Sequence, residues 1–269
     1  MQENRVLNKK CVKKHILFAY IKEILYLCIK FSKHIETVRQ EEEHFAPLWE
    51  LNTLWSTLTE EERERVSKAV KIVRYAKNQI IHYDGEESSH MGMLLRGKIR
   101  IYKEGIGQRP QIIRLLKPND IYGYRACIAN GPYNSNASAF EDCVVYQLSR
   151  EEFVRLVREN GAFCYEVMRM MAQDLAISEI QTVNLTQKHI RGRLAESLLH
   201  LVKNYGFEAD GNTLAMMLPR EDLANMSNMT TSNAIRTLSQ FAQEGIIGIE
   251  GRHIRILNEK ELEKISRLG

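Results

Sequence analysis

Residues 229–257, MTTSNAIRTLSQFAQEGIIGIEGRHIRIL, admit few folds because they place a helix start, a helix, a stop and a hairpin within twenty-nine positions. Thr230 predicts an N-cap, apolar side chains recur after it at helical spacing, and Gly245 predicts the end of the helix. The remaining letters alternate in polarity around Glu250-Gly251, which predicts a β-hairpin.

A second short helix is predicted directly before this segment. LPREDLANM places Pro219 near the first helical position, and Glu221 and Asp222 in the first turn, where the positive end of the helix dipole favours acidic side chains. Two short helices joined by a tight turn and followed by a hairpin form a winged helix-turn-helix. The second helix of that motif fits the major groove of DNA.

The predicted DNA contacts come from the start of the second helix and from the tip of the hairpin. Arg can bond to guanine with two hydrogen bonds and Asn to adenine, whereas Ser and Thr contact bases or phosphates. The predicted contact residues are Thr230, Thr231, Ser232, Asn233, Arg236, Arg252 and His253.

Between residues 72 and 149 the pattern has a period of about two, with short β segments separated by Gly, Asn and Pro. This pattern predicts a small barrel or roll. Lys77-Asn78 predicts a two-residue hairpin turn within it, because Asn tolerates positive φ. Before the roll, Thr59 and Glu62 predict a capping box.

After Ser149 the period becomes helical again, and a long helix is predicted from Phe163 to Gln187. Residues at alternating three- and four-residue steps along it are typical of a coiled-coil seam. An ordinary core helix is the alternative, but a helix of roughly 25 residues is too long for one small roll to bury. We therefore predict a homodimer whose seam contains Met168, Met171, Leu175, Ser178, Thr182 and Leu185.

The charge distribution limits how far net charge supports DNA binding. The chain has a formal net charge of +4, but residues 1–40 carry nine Lys or Arg against three Glu. Residues 187–269 are nearly neutral, with eleven Lys or Arg against ten acids. An interaction or ligand-binding module with a degenerate DNA-binding domain therefore stays open as the alternative function.

Residues 1–45 predict a basic helical extension. Three interpretations stay open: a packed accessory helix, a translation start assigned too early, or a basic helix on a membrane surface. The apolar run in this extension is interrupted by Lys22 and Glu23, and no signal-peptide cleavage site follows it. We therefore expect a cytoplasmic protein without a membrane partner.

Three segments, LLRGKIRIY, LLKPNDIYGY and TTSNAIRTLSQFAQEGIIGIEGRHIRIL, resemble the Crp/Fnr family of transcription regulators. The resemblance covers roughly residues 50–262. It implies an α+β fold with an N-terminal β-roll like that of cyclic-nucleotide receptors (a jelly roll), a long dimerisation helix and a C-terminal winged helix-turn-helix. The implied domains are a basic extension (1–45), the sensor roll (46–160), the dimerisation helix (161–187) and the DNA-binding domain (188–269).

The same resemblance implies the partners. They are double-stranded DNA carrying an inverted repeat, a second copy of the chain, RNA polymerase and a small-molecule effector. An inverted repeat is expected because a two-fold dimer meets two half-sites about one helical turn apart.

The effector is not expected to be a cyclic nucleotide. In the family's cyclic-nucleotide receptors a Gly-Glu pair binds the ribose and a later Arg binds the phosphate. Here Gly123 is followed by Tyr124, and the phosphate segment PYNSNASAF has no arginine. A buried phosphate needs a paired cation. The predicted effector pocket consists of Gly123, Tyr124, Arg125, Asn134 and Ser135, with Arg125 outside the family's phosphate position.

Neither an enzyme nor a metal site is predicted, because no nucleophile–base pair, phosphate loop or metal-ligand spacing is present. The cysteines lack the close spacing of a zinc or iron–sulfur site: Cys11, Cys28, Cys127, Cys143 and Cys164. No cofactor is predicted. Haem held by His82 or His90, another small ligand, and a thiol switch at Cys127 or Cys143 stay open as alternatives.

Overall fold

Three short helices lead into the roll. The computed structural model describes residues 45–105, 107 and 109–269, so the predictions for residues 1–44 lie outside the described residues. The helices are α1 (Leu48–Leu51), α2 (Thr53–Ser56) and α3 (Glu60–Ala69). The predicted capping box opens α3, since the Thr59 hydroxyl accepts a bond from the Glu62 N–H and the Glu62 carboxylate accepts one from the Thr59 N–H.

The eight strands that follow form two four-stranded antiparallel sheets, which confirms the predicted roll. The elements are β1 (Lys71–Tyr75), β2 (Ile80–His82), β3 (His90–Arg96), β4 (Ile99–Glu104), β5 (Pro110–Leu116), β6 (Ile121–Tyr122), α4 (Tyr124–Ala129), β7 (Asn136–Ala139) and β8 (Cys143–Ser149). One sheet has the order β1-β8-β3-β6 and the other β2-β7-β4-β5. Their inward side chains, such as Leu94, Ile99 and Val145, form the core of the roll.

The turn at Lys77-Asn78 is present, but the prediction of a hairpin there is wrong. Asn78 has a φ of 66°, as a turn of this kind requires. However, β1 pairs with β8 and β2 pairs with β7, so the turn carries the chain from one sheet to the other. Period and turn chemistry predict a chain reversal, but pairing partners depend on contacts far along the sequence.

The C-terminal half is mainly helical. It contains α5 (Arg150–Glu159), α6 (Gly161–Gln187), α7 (Ile190–Tyr205), α8 (Arg220–Met226), α9 (Thr231–Gln243), β9 (Ile247–Glu250), β10 (His253–Ile256) and α10 (Glu259–Leu268). The long helix begins two residues earlier than predicted, because the Asn160 side chain caps it by accepting a bond from the Phe163 N–H. Pro219 precedes the first residue of α8 and is its N-cap. Helix α10 was not predicted, and it packs against α7 through fully buried Leu262.

Strand β5 of the roll contributes to the core of the C-terminal region. Ile112 and Leu115 pack in one apolar cluster with residues of α7 and α9. Two polar contacts accompany this packing: Arg100 bonds to Asp222 of α8 at 2.9 Å, and the Gln111 amide donates to the Met226 carbonyl at 3.3 Å. The roll thus holds the first helix of the helix-turn-helix. Among the described residues, none of the helices has the length and apolar character needed to cross a bilayer.

Asp174 joins the long helix to the roll. Its Oδ2 atom accepts a 2.6 Å hydrogen bond from the Tyr124 hydroxyl and a 3.1 Å bond from the Arg114 guanidinium. Tyr124 is buried at the start of α4 and Arg114 lies on β5. The carboxylate is 17% exposed, so its charge needs these donors once α6 packs against the roll.

Replacing Tyr124→Phe removes one donor to this carboxylate while keeping the ring. A hydrogen bond to a charged group contributes about 1.5–3 kcal/mol, so the free energy of unfolding should fall by about 2 kcal/mol. Urea denaturation measures this change. Tyr83→Phe is the matched control, since Tyr83 is 60% exposed and should change stability little. Equal losses in both variants would contradict a special role for the Tyr124 hydroxyl.

Candidate nucleic-acid interface and effector pocket

Helix α9 presents its first turn to solvent. The Thr230 hydroxyl accepts a 3.3 Å bond from the Asn233 N–H, as predicted for the N-cap. Ala234, Leu238 and Phe241 are buried against the domain core. The opposite side of the helix is therefore free, and it carries the predicted contact residues Thr231, Ser232 and Arg236, all of them exposed.

Asn233 and Arg236 interact with each other. The Arg236 guanidinium donates a 2.8 Å hydrogen bond to the Asn233 side-chain oxygen, across one turn of α9. This exposed bond places the guanidinium beside Asn233 in the absence of DNA, and pairs of this kind contribute only about 0.2–0.5 kcal/mol. Asn233 is half-buried, and its contact with adenine stays a prediction.

Ile235 was missed by the sequence analysis, although it lies between these residues on the outward side of α9. Its side chain is 48% exposed. A large apolar side chain on this surface can contact a thymine methyl group in the major groove. The sequence could have indicated this exposure, because Ile235 does not share the helix side formed by Ala234, Leu238 and Phe241.

The hairpin after α9 differs from its prediction at the tip. His253 pairs with Glu250 in the β9–β10 ladder, so the turn consists of Gly251 and Arg252. Arg252 is exposed at the tip, as predicted. The placement of His253 at the tip is wrong: it is the first residue of β10, with Nδ1 3.7 Å from a Glu208 carboxylate oxygen.

A hydrogen bond ties the tip to the first helix of the motif. The Arg220 guanidinium, at the start of α8, donates to the Gly251 carbonyl at 3.0 Å. The wing and the two helices are therefore linked at two places, here and at the junction of α9 with β9. This linkage fixes the spacing between the wing tip and the start of α9.

The side of α6 proposed as the seam is largely solvent-exposed. Met168, Leu175 and Met171 are 55%, 62% and 38% exposed, and Ser178 and Thr182 are also exposed. Leu185 differs: it is half-buried and lines a cleft beside α7. Tyr165 and Val183, which the sequence analysis did not select, extend the exposed apolar surface of α6 at either end.

The five residues predicted for the effector pocket line a single cavity in the roll. Gly123, Tyr124, Arg125, Asn134 and Ser135 surround a volume of about 30 Å³, whereas small-molecule sites have volumes of roughly 300 Å³ or more. Three aromatic side chains fill the space next to them. The ring of His82 stacks on that of Tyr133 with centroids 3.9 Å apart, and the ring of Tyr122 lies 5.9 Å away.

His82 is a buried imidazole in this stack, 3% exposed. Its Nδ1 atom has no hydrogen-bond partner among the described residues. Burial, with a smaller contribution from nearby His90, lowers the pKa of His82 to about 4. His90 lies 3.0 Å from the Gln147 amide, and burial lowers its pKa as well. Both rings are therefore neutral at pH 7.

This arrangement does not fit haem. A porphyrin is much larger than the space available, and the His82 ring is covered by Tyr133. Among the described residues, no group of three or more His, Cys, Asp or Glu side chains could hold a metal ion.

The two cysteines considered for a thiol switch are buried. Cys127 and Cys143 are 0% and 2% exposed. Burial raises the pKa of each thiol to about 11, so both are protonated at neutral pH. Because the thiolate is the reactive form, the structure does not favour oxidation at these positions.

Two parts of the chain match models of known protein families. Residues 72–160 match the model of the cyclic nucleotide-binding domain, and residues 192–265 match the Crp-like helix-turn-helix domain. A CRP-like cAMP-activated global transcriptional regulator from Mycobacterium tuberculosis is 21% identical over 204 residues, covering 75% of this chain and 91% of the relative. The anaerobic regulatory protein of Aggregatibacter actinomycetemcomitans is 25% identical over 214 residues, covering 78% and 82%.

Solved structures confirm the predicted fold. FixK2 from Bradyrhizobium japonicum has a TM-score of 0.66 at 23% identity, covering 73% of this chain and 96% of its own. A regulator of the Crp/Fnr family from Eubacterium rectale has a TM-score of 0.68 at 19% identity, covering 81% and 99%. The order of roll, long helix and helix-turn-helix is therefore shared along the described chain.

The His82 stack predicts a dependence of stability on pH. The folded pKa of about 4 is below the ordinary value of 6.5, so the unfolded chain binds the extra proton between these values. The contribution of His82 to the free energy of unfolding is therefore present above pH 6.5, and the free energy of unfolding should fall by about 2 kcal/mol between pH 7 and pH 5.

Urea denaturation at a series of pH values measures the loss. His82→Phe keeps a stacking ring and should remove most of this loss, whereas the exposed control His189→Gln should not. Identical pH profiles for the wild type and His82→Phe would contradict the assignment.

Proposed function

Because this chain belongs to the Crp/Fnr family of transcription regulators, we propose that it acts as a homodimer that binds an inverted repeat in DNA. The chain carries the helix-turn-helix DNA-binding domain of this family, and family members are in general regulators and not enzymes. The observation that carries the proposal is the exposed start of α9, with Thr231, Ser232 and Arg236 projecting away from the domain core.

The DNA contacts would come from two places on each protomer. The start of α9 would enter the major groove, where Arg236 can read guanine and Ile235 can contact thymine. Arg252, at the tip of the wing, would contact the phosphate backbone. The bond from Arg220 to the Gly251 carbonyl connects the wing tip to α8. Both contacts would therefore form on the same side of the duplex.

Dimerisation would use the exposed side of α6. This surface presents Met168, Met171 and Leu175 to water, and apolar burial is the usual driving force of a helical seam. Two copies related by two-fold symmetry would present two α9 helices about one turn of DNA apart. In the proposed domain division this helix, residues 161–187, would be the dimerisation segment between the sensor roll and the DNA-binding domain.

We propose further that the effector is not a cyclic nucleotide. Tyr124, at the position of the family's ribose-binding Glu, donates its hydroxyl to Asp174 and is not free for a sugar. The cavity beside it, about 30 Å³, is far smaller than the roughly 300 Å³ or more of a small-molecule site. A regulatory ligand at any site would need to bind either the DNA-binding arrangement of the domains or the inactive one more tightly, typically by about 1–3 kcal/mol.

Arg236→Ala tests the DNA contact. If Arg236 reads a base, binding to a sequence enriched from a random DNA pool should weaken by about 1–3 kcal/mol, with little change on random DNA. Fluorescence anisotropy at fixed salt measures both affinities. Arg267→Ala, in α10, is the matched control. Equal losses on both DNAs would show a phosphate contact, and failure to enrich any sequence would favour the alternative of a degenerate DNA-binding domain.

Leu175→Glu tests the seam. Two carboxylates facing each other across an apolar seam should raise the dimer dissociation constant by about a hundredfold or more. Sedimentation velocity over a dilution series measures this change. Leu268→Glu makes the same chemical change at an exposed position of α10 and should leave the oligomeric state unaltered. A dimer that survives Leu175→Glu would rule out this side of α6 as the interface.

A further inference from the structure

A second and much larger cavity lies outside the roll. It is a cleft of about 540 Å³, hereafter the α6–α7 cleft, bounded by β5, the end of α6, one side of α7 and the turn after α8. Its volume falls within the range of small-molecule sites, about 300–1,000 Å³. The effector cavity predicted from the sequence is far smaller, so the α6–α7 cleft is the better candidate for binding an organic molecule.

The walls of the cleft are largely apolar. Ile113 of β5, Ile177 and Ile180 of α6, and Leu199 of α7 line it. Ile177 and Ile180 are 51% and 60% exposed. Solvation of these side chains is unfavourable, and a bound apolar group would remove it.

The isoleucines of the cleft and the exposed centre of the proposed seam lie on different sides of α6, whereas Leu185, at the end of the seam, also lines the cleft. At 100° per residue, Ile177 and Ile180 are rotated by about 140–160° from Leu175. A partner helix that covers Leu175 would therefore leave Ile177 and Ile180 available on the other side of α6.

The polar lining of the cleft carries an excess of positive charge. Glu196 is already neutralised, since it accepts bonds from the Lys188 ammonium, at 2.8 Å, and from the Ser266 hydroxyl. The Arg193 guanidinium donates only to backbone carbonyls, among them those of Ser227 and Asn228. No carboxylate in the described chain therefore compensates its charge within the cleft.

Lys203 is the cation available to a ligand. In the part of the chain that the structure describes, no ion pair or hydrogen bond involves its ammonium. His200 lies one turn before it on the same side of α7 and also lines the cleft. Burial lowers the pKa of His200, so its neutral ring can donate a hydrogen bond beside the ammonium.

We propose that the α6–α7 cleft binds an organic acid with an apolar body, whose anionic group lies at Lys203 and His200. The apolar body would lie against Ile113, Ile177, Ile180 and Leu199 and extend towards Met226 at the end of α8. Such a molecule would contact the roll, the long helix and the helix-turn-helix at once. It would therefore bind best to the domain arrangement described here, which makes it a regulator of the proposed DNA binding. Only that last step rests on the proposed function.

The experiment uses the full chain and the fluorescent probe 8-anilinonaphthalene-1-sulfonate, which combines an aromatic body with one anionic group. We expect saturable binding, displacement by decanoate and no displacement by decyltrimethylammonium, which has the same chain length but opposite charge. Lys203→Gln should weaken displacement by decanoate about tenfold. Lys260→Gln, at an exposed position of α10, is the matched control and should have no effect.

Ile180→Gln is a second variant, at an exposed position where a folding defect is not expected. It should weaken the probe severalfold, because it removes part of the apolar wall. Unsaturable binding, equal displacement by the acid and the cation, or equal affinities in Lys203→Gln and Lys260→Gln would overturn the proposal. Binding seen only in monomeric Leu175→Glu would also overturn it, since the occupant of the cleft would then be a second copy. No DNA is present, so the outcome is independent of the proposed function.

Discussion

The carboxylate of Asp174 connects the parts of this protein that must act together. Arg114 approaches it from the roll and Tyr124 from the short helix beside the roll cavity, while Asp174 itself belongs to α6. A partly buried charge is stable only when its donors stay in place. Displacement of either donor therefore weakens the attachment of α6 to the roll. The same carboxylate thus contacts both the edge of the roll cavity and β5, which also packs against the C-terminal core.

The interior of the roll is filled by aromatic packing. His82 and Tyr133 stack closely, and the ring of Tyr122 lies so close to Gly92 that a side chain at that position would overlap it. Packing of this kind resists ligands, since entry requires several large rings to move together. The α6–α7 cleft has the opposite character, with exposed isoleucines and a lysine, Lys203, that pairs with no carboxylate of the described residues. These contrasts support the proposal that an effector binds at the α6–α7 cleft and not inside the roll.

Much of this architecture could be predicted from the sequence, because it depends on local patterns. The N-caps at Thr59 and Thr230, the stop at Gly245 and the period of two in the roll each act within a few residues. The incorrect predictions, such as the hairpin at Lys77-Asn78, concern contacts between residues distant in sequence. The partners of β1 and β2 lie 55 to 76 residues away along the chain. The pairing of Glu250 with His253 decides which residues form the wing tip. The five residues predicted for the effector pocket line one cavity, but the sequence pattern did not predict that the rings of His82, Tyr122 and Tyr133 fill the space beside it.

Helix α6 is a single rod with two different apolar sides, one holding Leu175 and the other Ile177 and Ile180. If the Leu175 side packs against its counterpart in a second protomer, the paired α6 helices connect the clefts of the two protomers. A molecule that enters the first cleft and rotates α6 would alter the paired helix, and with it the affinity of the second cleft. The response to effector concentration would then be cooperative, with a Hill coefficient different from one. The stiffness of α6 would then determine how steeply the occupancy of a DNA site changes with the concentration of the effector.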